Sequence, residues 1–261
     1  MTRYAEMFDR CAAAHEGAFG AFLILGDPDL ATSAALLDAL AEGGADMVEV
    51  GIPFSDPVAD GPVIQAAATR ALAAGVSTQH CLDLIAGFRA RYDSIPIGIL
   101  TYANIVAARG IQRFCVELAK AGADSLLVAD VPSIEAAPYA AAARAAEIDL
   151  VMIAAPNPPR ETLATIAALS SGYTYCVARA GVTGADAELS LDHCALFEAL
   201  IEVGAPPPVL GFGISTPEHV RQALASGAAG VISGSAIVSK VSEGPGAVRD
   251  FVASMKSATC R

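Results

Sequence analysis

Gly43-Gly44-Ala45-Asp46 runs straight into Met47-Val48-Glu49-Val50, and this join decides the fold. A glycine stops a helix, and a short apolar run begins within a few residues. The join recurs: Ala121-Gly-Ala-Asp124 leads into Ser125–Ala129, and Ser226-Gly-Ala-Ala229 leads into Gly230–Ile232. A helix that repeatedly hands over to a strand reads as a chain of βα units. Outward from these joins, strands are expected near Ala21–Leu25, Met47–Val50, Ile97–Leu100, Ser125–Ala129, Leu150–Ile153, Tyr173–Val177, Val209–Phe212 and Gly230–Ile232, eight in all. Leu126-Leu-Val-Ala129 and Val151-Met-Ile153 are apolar without alternation, as strands covered on both faces must be.

The intervening stretches are Ala-rich, amphipathic and capped. Gly26-Asp27-Pro28 turns into a helix at Asp29, and Thr216 precedes Pro217-Glu218 as a cap precedes a first turn. Strand and helix alternate to a last helix over Gly246–Ser257, which predicts an α/β chain folded as a (β/α)8 TIM barrel. An extra N-terminal helix over Arg3–Ala14 is expected to close the barrel bottom. Another, over Thr78–Tyr92, fills the wide gap between the second and third strands. With 261 residues and no linker, residues 1–261 are expected to form one barrel domain.

Composition excludes several classes of function. Hydrophobic residues make up 54% and charged residues 17%, too apolar for a disordered chain. The net charge of −12 repels nucleic acid and anionic membrane alike, so neither is expected as a partner. There is no run of 18 apolar residues, and the N-terminus lacks a signal-like apolar core, so a cytoplasmic location is expected. The six cysteines form no CxxC pair and read as reduced, mostly buried small residues.

In a barrel of this kind the chemistry sits at the C-terminal ends of the strands. Glu49 lies inside the apolar second strand, where a carboxylate is costly unless paired, protonated or working. The loop after it, to Pro62, carries Asp56 and Asp60. Two carboxylates on one strand–loop unit suggest an acid/base pair. The plainer readings are a buried acid tied to backbone amides for Glu49 and a loop cap for Asp56. Ala178–Gly184 is small and glycine-rich and suits a lid, or an ordinary surface loop. Gly211-Phe-Gly-Ile-Ser215 and Ser233-Gly-Ser-Ala236 follow the last two strands, where backbone amides can cradle a phosphate. Taken singly, such glycines are only tight turns.

Lys120, Lys240 and Lys256 all fall in helical stretches, which disfavours Schiff-base chemistry. His15, His80, His193 and His219 lie near no carboxylate cluster at metal spacing, and no GxGxxG follows the first strand. Cofactor-free, metal-free acid/base chemistry on a phosphorylated ligand remains.

Together, Gly26-Asp-Pro28, Glu49-Val-Gly-Ile-Pro-Phe-Ser-Asp-Pro-Val-Ala-Asp-Gly-Pro62, Tyr102-Ala-Asn104, Val128-Ala-Asp-Val-Pro132, Gly181-Val-Thr-Gly184, Gly211-Phe-Gly-Ile-Ser215 and Gly234-Ser-Ala-Ile-Val238 resemble the tryptophan synthase alpha chain family. The resemblance runs in order along nearly the whole chain. It implies a lyase of L-tryptophan biosynthesis that cleaves indole-3-glycerol phosphate, by a retro-aldol step, to indole and glyceraldehyde 3-phosphate. Position by position, it implies Glu49 as the general acid/base and Asp60 as the partner of the indole N–H. Pocket walls map to Phe22, Leu100, Leu127, Ala129, Ile153, Tyr175 and Phe212, although barrel core is the plainer reading of each alone, and Tyr102, also substrate-binding, falls near the catalytic acid. Phosphate falls to Gly184, Gly213, Gly234 and Ser235, and Thr183 to a lid that holds Asp60.

The resemblance also implies a pyridoxal-phosphate-bearing beta chain in an α2β2 heterotetramer, with indole passed to it and no cofactor in this chain. Pro53, Asp56 and Asn104 match the docking surface. Ile24, Ala21 and Ala107-Ala108-Arg109 depart from the family's usual residues, which bears on pocket shape and interface strength. Competing readings are a catalytically idle barrel serving as a beta-chain partner, a stand-alone lyase, and a sugar-phosphate isomerase. The Pro53–Pro62 loop speaks against the isomerase, and the retained acids speak against the idle partner.

Overall fold

The computed structural model describes residues 1–177 and 193–260. At each of the three joins the middle glycine takes the left-handed conformation: φ is +89° at Gly44, +88° at Gly122 and +102° at Gly227. The next residue reaches back to the helix, with Ala45 N–H donating to Leu40 O, Ala123 to Leu118 and Ala228 to Ala223 at 3.0–3.2 Å. One residue later the backbone is already in the sheet. Asp46 N–H donates to Phe19 O, Asp124 to Ile97 and Ala229 to Pro208, all at 2.8 Å. The turn therefore sets each strand's register as it ends each helix.

In chain order the first half holds α1 (Arg3–Ala13), β1 (Ala18–Ile24), α2 (Leu30–Glu42), β2 (Met47–Gly51), α3 (Pro62–Ala73), α4 (Thr78–Arg91), β3 (Ile97–Thr101), α5 (Ala103–Arg109), α6 (Ile111–Ala121) and β4 (Ser125–Val128). The second half holds α7 (Ala137–Ala145), β5 (Asp149–Leu150), β6 (Met152–Ala154), α8 (Arg160–Leu169), β7 (Thr174–Val177), α9 (Cys194–Glu202), β8 (Pro208–Gly211), α10 (Pro217–Ala225), β9 (Gly230–Ser233), α11 (Ser235–Lys240) and α12 (Pro245–Lys256). The expected extra helices are α1 and α4. The caps are as read: Asp29 accepts from Thr32 N–H and Thr216 from His219 N–H.

The sheet order is β5-β4-β3-β2-β1-β9-β8-β7-β6, and every pairing is parallel. The expected strand Leu150–Ile153 is split. Its first half pairs with β4 and its second with β7, and Val151 between them still donates to Leu126 O at 2.9 Å. Chain continuity through Val151 thus closes the ring, and the architecture is the TIM barrel. β1 starts earlier than expected because Ala18–Gly20 pair with β9. β8 stops at Gly211 because Phe212 turns to φ +67°.

Register places Phe22, Glu49, Gly98 and Ser125 side by side, and Ile24, Gly51, Leu100 and Leu127 in the next layer up. Among the described residues, no helix is long and apolar enough to cross a membrane.

At the floor, the acids that end two of the joins work structurally. Asp46 accepts from Phe19 N–H at 2.9 Å and pairs with Lys256 at 2.7 Å and Arg10 at 3.4 Å. Asp124 accepts from Ile97 N–H at 2.7 Å and pairs with Arg89 at 2.6 Å and Arg3 at 2.8 Å.

Candidate active site at the barrel mouth

Glu49 is 3% exposed, and the Tyr173 hydroxyl donates to its Oε1 at 2.9 Å. Among the described residues, no cation contacts it. Burial pushes its carboxyl up to about 7; the Tyr173 bond pulls the other way, and nearby Asp60 adds to the rise. A carboxyl titrating there can both give and take a proton near neutral pH.

Asp60 is 8% exposed on the loop after β2. The Tyr102 hydroxyl donates to its Oδ2 at 2.9 Å and accepts from Ala59 N–H at 3.3 Å. Burial raises this carboxyl too, opposed by the Tyr102 bond. The two acids therefore move in the same direction rather than in opposite ones, because each is buried against a neutral hydroxyl. Phe54 stacks on Tyr102, with ring centroids 5.3 Å apart and planes at 30°, so the acidic loop is clamped to the start of α5. Asp130 caps that helix by accepting from Ala103 N–H at 2.8 Å.

Exposure marks the opening. Leu100 and Ile153 are half-buried in strands whose other residues are buried, and Ala129 and Phe212 are half-buried just past theirs. Phe22, Leu127 and Tyr175 are buried below them. Tyr175 and Phe212 meet edge to face at 6.1 Å. Gly211 must lack a side chain, since a Cβ there would overlap the Tyr175 hydroxyl. Phe212 keeps its strained φ of +67°, which costs about 1–3 kcal/mol and persists where function needs it.

The loops after β8 and β9 are tied together: the Ser233 hydroxyl donates to Ile214 O at 2.7 Å. Gly213 has φ +74°, and its carbonyl meets His219 Nδ1 at 2.9 Å. Gly234 lies against Phe22, where an added Cβ would come within 3.6 Å of the ring. Ser235 opens α11, whose first amides lack helical acceptors. Gly213, Gly234 and Ser235 thus lie just past β8 and β9, at the same end of the barrel as the loop that carries Asp60 away from β2. Thr183 and Gly184 lie outside the described residues. Asp56 and Asn104 are exposed, whereas Pro53 is buried and shapes the loop from beneath.

Sequence reading missed Tyr173 as a site residue. Its spacing of two from Tyr175 at a strand start was the available signal. It also missed the contribution of α1, described below. Among the described residues, no group of three or more His, Cys, Asp or Glu side chains is placed to hold a metal.

Comparison with known proteins gives one result. The family model described as tryptophan synthase alpha chain matches residues 8–259. A tryptophan synthase alpha chain of Aeromonas hydrophila is 50% identical, covering 100% of both chains. One from Shewanella amazonensis is 52% identical over 92% of this chain and 91% of its own. A chain of a Mycobacterium tuberculosis tryptophan synthase structure superposes with a TM-score of 0.91 at 32% identity, covering 100% of this chain and 99% of that one. The tryptophan synthase subunit alpha of Legionella pneumophila superposes at 0.90 with 30% identity, over 99% and 98%.

Proposed function

The chain belongs to the tryptophan synthase alpha chain family, and from that premise we propose how its barrel mouth carries out the reaction. It is the alpha subunit that cleaves indole-3-glycerol phosphate to indole and glyceraldehyde 3-phosphate in tryptophan biosynthesis. The observation that carries the site reading is the pair of buried acids, Glu49 and Asp60, each accepting from a neutral tyrosine hydroxyl.

Protonated Glu49 gives its proton to the indole carbon that bears the glycerol phosphate. The ring becomes an electron-poor iminium, and Asp60 accepts the indole N–H and balances the developing positive charge. Glu49, now ionised, removes the proton of the adjacent side-chain hydroxyl. The C–C bond breaks, its electron pair restores the aromatic ring, and the oxygen becomes the aldehyde carbonyl. Glu49 ends as it began. The step is redox-neutral and needs only these two acids, so we assign this chain no cofactor. Phe22, Leu100, Leu127, Ala129, Ile153, Tyr175 and Phe212 form an apolar slot for the flat ring. The amides at Gly213, Gly234 and Ser235 take the phosphate, joined by Gly184, and Thr183 steadies Asp60.

A beta chain is the partner that the family's name implies, in an α2β2 assembly with pyridoxal phosphate on the beta side. Asp56 and Asn104 offer the contact, on the elements that hold Asp60 and Tyr102. Docking there can therefore reach the acids. The test is the rate of glyceraldehyde 3-phosphate release from indole-3-glycerol phosphate, first alone and then with a beta chain. A slow rate that rises sharply on addition supports the coupled subunit. A fast rate alone points to a stand-alone lyase, and no product in either condition overturns the reading.

A further inference from the structure

Beneath Glu49, at the closed end of the barrel, lies a group the cleavage itself does not use. Helix α1 is pinned at both ends to the floor aspartates, through Arg3 to Asp124 at 2.8 Å and Arg10 to Asp46 at 3.4 Å. Between these pins it sends Tyr4 up into the barrel, where the residue is 1% exposed. The Tyr4 hydroxyl shares a hydrogen bond with Ser125 Oγ at 2.9 Å. Its ring packs on that of Tyr173, with centroids 5.2 Å apart and planes at 58°. Tyr173 in turn is the donor to Glu49.

Gly98, which register sets between Glu49 and Ser125, leaves the room for this stack. A Cβ there would stand 2.6 Å from Ser125 Oγ, 2.8 Å from the Tyr4 hydroxyl and 3.9 Å from the Tyr173 hydroxyl. Tyr173 needs such a prop. It precedes β7, in a tight turn where its N–H donates to Ser171 O at 2.9 Å and its carbonyl accepts the Ser170 hydroxyl at 3.1 Å, so the turn fixes its backbone and packing must fix its ring.

We propose that Tyr4 is a positioning residue for the cleavage: carried on α1, it props Tyr173 so that the Tyr173 hydroxyl holds the Glu49 carboxyl in its working pose. This rests on the reading of Glu49 as the proton-moving group. Among the described residues, the titratable groups facing Glu49 are Tyr4, Tyr173, Tyr175 and Asp60, and those facing Tyr4 are Asp124, Asp149, Glu49 and Tyr173. Burial holds Tyr4, Tyr173 and Tyr175 well above the usual phenol range, so they stay neutral donors while Glu49 titrates.

The experiment compares Tyr4→Leu, Tyr4→Phe, Tyr173→Phe and the Tyr4→Leu/Tyr173→Phe double variant, each assayed with the beta chain. Tyr4→Leu should lower kcat by about 10–100-fold, with KM within about twofold. The Glu49-dependent limb of its kcat–pH profile should move up by about one unit, because a lost hydrogen bond to the ionised form disfavours that form. Tyr173→Phe should shift the limb alike, the double variant should lose no more than Tyr173→Phe alone, and Tyr4→Phe, which keeps the ring, should restore kcat. If Tyr4→Leu does not fold, Tyr4→Met carries the same expectation. Wild-type kcat and limb in the Tyr4 variants, or losses that multiply in the double variant, overturn the proposal. Glu49→Gln separates the premise. If it still cleaves, both readings fall; if it is dead while the Tyr4 variants are normal, only this one does.

Discussion

The two ends of the barrel treat buried carboxylates in opposite ways. At the floor, Asp46 and Asp124 each accept a backbone N–H and pair with two cations. At the mouth, the side-chain partners of Glu49 and Asp60 among the described residues are phenol hydroxyls. A cation stabilises a carboxylate as a fixed charge, and burial beside a neutral donor leaves it able to change protonation. Partner chemistry, more than burial, separates an acid that holds the fold from one that can do work.

Glu49→Gln attacks the comparison hardest. It removes the titrating proton and keeps shape and an acceptor for Tyr173. Cleavage should fall by about 100–10,000-fold, while an uncleavable ligand carrying indole and phosphate binds within about threefold. Steady-state kinetics and calorimetry measure the two, and loss of binding as well would make Glu49 a structural acid. At the floor, Asp124→Ala should do the reverse. Arg89, which also donates to the carbonyls of Gly122, Tyr92 and Ile95, and Arg3 would lose their shared anion. Urea unfolding should show a loss of about 3–5 kcal/mol, while kcat of the folded fraction should fall no further than in Tyr4→Leu, through the loosened Arg3 pin of α1. A large fall in kcat at intact stability would erase the division of labour.

Much of this was legible in the chain. The Gly-Ala-Asp joins announced the βα repeat because a left-handed glycine and a strand start are local events. Glu49 stood out as a charge inside an apolar run. The split at Val151 was not legible, since an unbroken apolar run does not say which neighbour each half will pair with. Nor were Tyr4 and Tyr173. Tyr4 is 169 residues from Tyr173, and at helical spacing with Met7 and Cys11 it reads as ordinary core. The floor role of Asp46 and Asp124 was hidden for the same reason, because their cations come from distant helices.

Stability against pH sharpens the contrast further. The folded-state value of Glu49, about 7, lies above that of an exposed glutamate, near 4.5. Its contribution is intact below the unfolded value and is lost as pH rises through 7, by about 3 kcal/mol at most. Glu49→Gln, which has nothing to ionise, should match wild type in urea at pH 4.5 and exceed it at pH 8. Equal stability at both values would mean that Glu49 is not protonated by its burial. Gly213→Val tests the other end of the mouth. Its φ of +74° is strained for valine, and the side chain would crowd the amide cradle. Affinity for the phosphate-bearing ligand should drop about tenfold or more, and unchanged affinity would remove Gly213 from the phosphate site.

The smallest effect is expected inside the floor itself, where the cations are not equal. Arg10 lies 3.4 Å from Asp46 with half of its side chain exposed. Asp46 still keeps Lys256, which is one-fifth exposed at 2.7 Å and also binds Glu16, together with the Phe19 N–H. Removing Arg10 therefore leaves no buried charge alone, and the lost attraction is screened by water. Arg10→Ala should cost less than about 1 kcal/mol, whereas Lys256→Ala, which strands Asp46 beside a half-exposed arginine, should cost several times more. Urea midpoints of the two variants at one ionic strength decide it. If Arg10 proves as costly as Lys256, the pin at that end of α1 is rigid rather than loose. Tyr4 would then be held from both ends of its helix, not chiefly through the short Arg3–Asp124 contact.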